Sequence, residues 1–225
     1  MMLTPTIATT EIAIPARSAT GQPIDLPGTL SMPEGARGLV LFAHGSGSGR
    51  SSPRNRHVAA VLHDSWLGTL LFDLLTEREA GNRVNVFDIG LLADRLLAAI
   101  GMVRSREPTA ALPIGLFGAS TGAAAALVAA AREPRIAAVV SRGGRPDMAG
   151  AALGRVYCPT LLIVGGHDDE VLSLNRLALG RLAGERRLAI VPGATHLFEE
   201  PGALEEVARL AAEWFARHVT GGSAS

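Results

Sequence analysis

Pro113-Ile114-Gly115-Leu116-Phe117-Gly118-Ala119-Ser120-Thr121-Gly122-Ala123-Ala124 passes from a short apolar run, through a serine flanked by glycines, into an alanine-rich segment that ends at Arg132. The apolar run has strand length and the alanines favour helix, so the serine falls on the turn between them. Gly118 and Gly122 make the pattern G-x-S-x-G, which is weak alone in a chain with 26 glycines. Its place between a strand and a helix gives it meaning. A tight turn there forces the serine into a strained backbone and lifts its hydroxyl clear of the sheet, and side chains at the flanking positions would strike neighbouring backbone. A glycine-rich strand-to-helix loop without chemistry is the plain alternative.

Working outward, strand-length apolar runs alternate with helical patterns, which indicates βαβ units and a mostly parallel sheet with helices on both faces. Ile7 to Pro15 and Ile24 to Met32 read as an opening antiparallel pair across Ser18-Ala19-Thr20-Gly21. Strands are expected at Gly38 to Ala43, Gly68 to Leu74, Pro113 to Phe117, Ile136 to Val140, Thr160 to Val164 and Leu188 to Val191. Helices are expected at Arg54 to Ser65, Phe87 to Arg104, Ser120 to Arg132 and Ala203 to His218, with Thr76 to Asn85 a polar loop. No repeat or composition shift divides residues 1–225, so one domain is expected, with residues 220–225 a frayed tail.

Composition narrows the function. The 225 residues carry 21 basic and 21 acidic side chains, a formal net charge of zero, without a cluster of positive charge for nucleic acid or a membrane surface. Every basic residue is arginine, which excludes Schiff-base chemistry and the lysine of a phosphate-binding loop. The single cysteine, Cys158, cannot form an internal disulfide. Met1 to Pro5 lacks a basic segment followed by an apolar run, and the longest apolar stretch, Ala123 to Ala131, is too short to span a bilayer. A cytoplasmic protein is expected.

A serine hydroxyl needs a base, and the base needs an orienting acid. Val164-Gly165-Gly166-His167-Asp168-Asp169-Glu170 ends a buried strand, and Val191-Pro192-Gly193-Ala194-Thr195-His196 ends the last one. Ser120, Asp168 and His196 thus follow in the order of an elbow-type triad, each at a strand end. Asp169 is the alternative acid. His167 to Glu170 could also be read as a metal cluster, but adjacent ligands diverge and no second group stands out, so neither metal nor organic cofactor is expected. His57, His63 and His218 fall on predicted helices and read as structural or solvated.

The oxyanion of an attacked carbonyl needs backbone donors. Thr121 N–H, after the nucleophile, is one; the loop His44-Gly45-Ser46-Gly47-Ser48-Gly49 supplies the other, with Ser46 favoured over Gly47. A phosphate-cradling glycine loop is the competing reading, and the lysine and dinucleotide spacing it needs are missing.

These pieces resemble the dienelactone hydrolase-like branch of the α/β-hydrolases, and most of all its small lidless members, some of which occur fused to phosphoribosyltransferase-like domains. The residues concerned are the His44 to Gly49 loop with Ser52-Pro53-Arg54-Asn55, Asp73-Leu74-Leu75-Thr76, Gly118 to Gly122, Ser141-Arg142-Gly143-Gly144-Arg145-Pro146, and the Asp168 and His196 segments. The resemblance implies an α/β-hydrolase fold without a large cap and a small-molecule carboxylester, lactone or related acyl substrate. Dienelactone hydrolase itself carries cysteine at the elbow, which weighs against dienelactone as substrate and leaves fold and triad untouched.

Only Ser141 to Pro159 separates two strands where larger relatives insert a helical lid, so an open, shallow site for short or exposed acyl groups is expected. Arg54, Arg142 and Arg145 fall near strand ends lining one crevice and could hold a substrate carboxylate; surface or helix-pairing arginines are the alternative. The reading in full is a serine esterase; an acyltransferase with the same triad, or a binding protein that keeps the fold without catalysis, are its rivals.

Overall fold

The computed structural model describes residues 5–220, so most of the expected C-terminal tail lies outside the described residues. Strands β1 (Ile7–Arg17), β2 (Pro23–Pro33), β3 (Gly38–Ala43), β4 (Leu67–Phe72), β5 (Ile114–Ala119), β6 (Ile136–Arg142), β7 (Thr160–Gly165) and β8 (Arg186–Val191) form one sheet. Its order is β1-β2-β4-β3-β5-β6-β7-β8. The β1–β2 and β2–β4 pairs are antiparallel, and every pair from β4–β3 to β7–β8 is parallel. The helices are α1 (Pro53–Asp64), α2 (Glu77–Ala80), α3 (Arg83–Val86), α4 (Ile89–Arg104), α5 (Thr121–Arg132), α6 (Asp169–Leu179) and α7 (Ala203–His218).

The central strands are buried along their whole length because both sheet faces are covered. In β3, Leu39, Leu41 and Ala43 face the layer that holds α4 and α5, while Val40 and Phe42 face α1 and α7. The strand period of two thus divides one apolar run between two cores. Gly115 lets α7 lie close on the sheet, since a Cβ there would meet the Phe215 ring at 2.7 Å. A 3₁₀ segment, Pro146–Arg155, lies in the connection from β6 to β7 and packs against α5 and α6. No large cap is seen, and no described helix is long and apolar enough to cross a membrane.

Two local expectations are corrected. Thr76 to Asn85 is not a loop but the short helices α2 and α3. Thr76 and Glu79 form a reciprocal capping box, and Asn82 caps α3. In addition, α6 follows directly on Asp168, burying Val171, Leu172, Asn175 and Ala178. Asn175 Nδ2 donates to the Gly144 carbonyl at 3.0 Å and to that of Val171 at 2.7 Å, fixing α6 against the loop after β6.

Glu79 also ties distant elements together. One oxygen accepts the Ala19 N–H and Arg95 Nη2, each at 2.8 Å, and the other accepts the Thr76 N–H at 3.0 Å. Arg95 is only 1% exposed, and its Nε and Nη1 have no hydrogen-bond partner. Removing the carboxylate therefore strands a buried cation, which typically costs 3–5 kcal/mol, whereas an apolar pair of similar volume is often tolerated. Glu79→Gln is expected to lower unfolding free energy in urea by about 3 kcal/mol, and Glu79→Leu with Arg95→Met to recover most of it.

Candidate active site

The carboxyl ends of the parallel strands gather the chemistry-bearing residues. Ser120 follows β5 with φ +51° and ψ −121°, an unusual backbone for a residue with a side chain. Hydrogen bonds hold it there: its N–H donates to the Arg142 carbonyl at 3.2 Å, and its own carbonyl accepts from Ala123 and Arg145, each at 3.1 Å. Such strain costs about 1–3 kcal/mol and needs surroundings that over-determine it. A Cβ on Gly118 would strike the Ala123 backbone, and one on Gly122 the carbonyls of Ala43 and His44. The glycines thus let α5 start hard against β3 and β5.

Asp168 and His196 meet by the same device. A Cβ on Gly165 would collide with the carbonyls of Ala194 and Thr195, so glycine lets the His196 loop close on the end of β7. The approach is pinned by the Gly166 N–H to Val191 carbonyl bond at 2.8 Å and the His167 N–H to Ala194 carbonyl bond at 2.9 Å. Thr195 donates its N–H and its hydroxyl to Glu200, at 3.1 and 2.6 Å, steadying the residue before His196. His196 Nδ1 then lies 2.7 Å from Asp168 Oδ2. A carboxylate there keeps the proton on Nδ1 and leaves Nε2 unprotonated. Asp169 is exposed at the start of α6 and is not the carboxylate bonded to His196.

Ser120, His196, Arg54 and Arg142 line one cleft of about 210 Å³, together with Gly45 and Ser46 of the loop after β3. Arg145 is not brought there. Its guanidinium makes two bonds to Asp147, at 2.9 and 2.8 Å. Of the expected oxyanion donors, Thr121 opens α5, and the Ser46 N–H is directed at Thr121 Oγ1 at 3.0 Å. Behind the same loop a second recess of about 280 Å³ is walled by Leu74, Leu75, Val86 and Leu92. This apolar recess was not foreseen, because α2 and α3 help to form its wall. A more open hollow of about 830 Å³ lies between the β1–β2 turn and α4, away from Ser120.

The sequence reading also passed over His44. Its Nε2 accepts the Leu74 N–H at 3.0 Å, which leaves the proton on Nδ1 to donate to the Gly45 carbonyl, also 3.0 Å. The imidazole therefore staples the loop after β3 to the end of β4. Arg50 reinforces the join, with its N–H 2.7 Å from Asp73 Oδ1. The clue in sequence was an apolar strand ending in His-Gly, and only the fold supplies its partner. His63 is structural as expected, buried with Nε2 2.8 Å from the Thr69 hydroxyl.

A family model described as an alpha/beta hydrolase domain matches residues 36–217. The crystal structure of a dienelactone hydrolase from Anabaena variabilis is 53% identical, covers 94% of this chain and 99% of its own, and gives a TM-score of 0.87. The chain belongs to the α/β-hydrolase family, in its dienelactone hydrolase-like branch. Est1E from Butyrivibrio proteoclasticus, at 16% identity over 92% of this chain and 98% of its own, shares the fold with a TM-score of 0.75. A putative phosphoribosyl transferase of Mycobacterium tuberculosis is 60% identical over 201 residues, 88% of this hydrolase-family chain and 45% of that protein. The chain thus spans about half the length of the curated relatives it matches first.

Burial lowers the His44 pKa, against smaller raising effects from the Gly45 carbonyl and Asp73. Its neutral form is the one the fold uses, so its contribution to stability is present above the unfolded value of about 6.5 and is lost as pH falls through the folded one. His44→Gln is expected to cost about 1–3 kcal/mol near neutrality. Urea titrations should also show that it loses less stability than the wild type between about pH 7 and pH 5.

Proposed function

We propose that this α/β-hydrolase cleaves carboxylic esters, or related lactones or thioesters, through an acyl-serine intermediate on Ser120. The observation that carries the reading is the strained Ser120 at the β5–α5 turn, lining one cleft with a His196 whose Nδ1 is 2.7 Å from Asp168. His196 Nε2 takes the serine proton as Oγ attacks the acyl carbon, and Asp168 stabilises the imidazolium that results. The N–H groups of Thr121 and Ser46 receive the developing oxyanion. In the resting enzyme the Ser46 donor is engaged by the Thr121 hydroxyl. The charged oxygen makes the stronger bond and displaces it, while the hydroxyl turns away about its side-chain bond. His196 then gives its proton to the leaving alcohol, and water repeats the sequence to release the acid and restore Ser120.

The substrate is small, or presents its acyl end, because the cleft is about 210 Å³ and the apolar recess beside it about 280 Å³. No step calls for a metal or an organic cofactor, and no membrane or nucleic-acid partner enters the reaction. A cytoplasmic setting fits a chain whose single cysteine, Cys158, cannot form an internal disulfide. Phosphoribosyl transfer is named for proteins about twice as long, and we do not carry it to this chain.

Hydrolysis of short p-nitrophenyl esters, with fluorophosphonate labelling alongside, tests the proposal. Ser120→Ala is expected to remain folded, to lose labelling and to lose about 10⁶-fold in kcat. Asp168→Asn should keep the labelled serine but lose about 10⁴-fold in kcat, because the histidine adopts the wrong tautomer. Undiminished turnover by Ser120→Ala would overturn the assignment.

A further inference from the structure

Arg142 ends β6 beside the nucleophile and is only 8% exposed. It takes part in none of the ion pairs among the described residues, and its Nε is buried with no hydrogen-bond partner. The guanidinium carbon sits 5.8 Å from the centre of the buried Phe198 ring, a contact that attracts the cation without neutralising it. Its nearest charged influence is another cation, Arg54. Burial first, and Arg54 second, push the Arg142 pKa down to about 10, so it remains charged near neutrality. An unpaired buried charge carries a desolvation penalty larger than the ring returns.

The other deeply buried arginine makes the contrast. Arg95 is bonded to the Glu79 carboxylate at 2.8 Å. Arg145, two glycines beyond Arg142, has Asp147. Arg54 has the exposed Glu199 at 3.1 Å, with its own Nε buried and unpartnered. Arg95 also leaves two nitrogens without partners, but it has its carboxylate; among the described residues Arg142 is deeply buried with no ion pair, and its counter-charge must come from what binds in the cleft.

The position within the site says which part of a substrate that is. Arg142 and Arg54 share their cleft with His196 and Leu197, the side on which the leaving group takes its proton. The recess on the far side of the loop after β3 is walled by leucines and a valine and suits an acyl chain. We propose that Arg142, with Arg54 beside it, holds an anionic group, carboxylate or phosphate, on the alcohol portion of the substrate. This rests on the esterase reading and deepens it: the substrate class becomes a short apolar acyl group on an anionic alcohol.

The test compares butyrate esters of three phenols: 4-hydroxybenzoate, 4-hydroxyphenyl phosphate and the uncharged methyl 4-hydroxybenzoate. The ratio of kcat/KM for a charged ester to that for the neutral one is expected to fall about tenfold or more in Arg142→Gln and Arg142→Met, as for loss of a charge-assisted bond. Arg145→Gln should keep the wild-type ratio. The arm that falls further tells carboxylate from phosphate. Calorimetry measures the same contact without turnover. Binding of 4-hydroxybenzoate and of 4-hydroxyphenyl phosphate to Ser120→Ala should weaken about tenfold or more when Arg142→Gln is added. Both Arg142 variants should melt no lower than the wild type, since they remove an unpaired buried charge. Anion binding that depends on Arg142 without ester hydrolysis would sink the esterase reading alone. Hydrolysis with ratio and binding indifferent to Arg142 would overturn the anion site alone.

Discussion

Ser120 stands at φ +51° where β5 turns into α5, and the space for that turn comes from missing side chains. Gly122 lies against the carbonyls of Ala43 and His44 at the end of β3, and Gly118 against the backbone of Ala123. The consequences spread outward from this close approach. With α5 seated on the tip of β3, the loop after β3 passes beside Thr121, and the Ser46 N–H comes within 3.0 Å of the Thr121 hydroxyl. The carbonyl of Ser120 collects the N–H of Arg145, which draws the chain leaving β6 around Ser120, and Arg142 at the end of that strand lines the cleft. Strain at one residue is thus distributed among bonds to β6, to α5 and to the chain leaving β6.

A second close approach, at Gly165, repeats the principle for His196. The chain after β8 reaches the end of β7 only because nothing projects from residue 165, and backbone bonds from Gly166 and His167 then fix the gap. The 2.7 Å contact of His196 with Asp168 is a product of backbone packing rather than of attraction between two free side chains. This places the sensitive points of the site in glycines that touch no substrate.

The same view explains what could be read from the chain. The alternation of strands and helices, the elbow and the order Ser120, Asp168, His196 were legible because each depends on local pattern and on the rule that strand ends share an edge. Asp168 was favoured in the sequence with its neighbour Asp169 as the alternative; the structure bonds Asp168 to His196 and leaves Asp169 exposed in the first turn of α6. The helices α2 and α3 looked like loop because their support comes from elsewhere. Glu79 is bonded to Ala19 on the β1–β2 turn and to Arg95 on α4. Helix α6 was missed for a related reason, since its buried Asn175 reads as polar surface until Gly144 is seen to accept its amide hydrogen.

Arginine pairing was the least legible feature of all. In Ser141-Arg142-Gly143-Gly144-Arg145-Pro146 the two arginines look equivalent, and both stood as equal candidates for substrate contact. Gly143, at φ +51°, turns the chain between them. One guanidinium then faces Phe198 and the cleft, and the other returns to Asp147. A net charge of zero conceals this asymmetry, because charge balance is a property of the whole chain and desolvation of a single group. In a fold that pairs its buried Arg95, an unpaired Arg142 beside Ser120 is a local imbalance that packing alone would not retain. Pairing it with an internal carboxylate would have removed the imbalance and filled the cleft that Arg142 shares with Ser120 and His196.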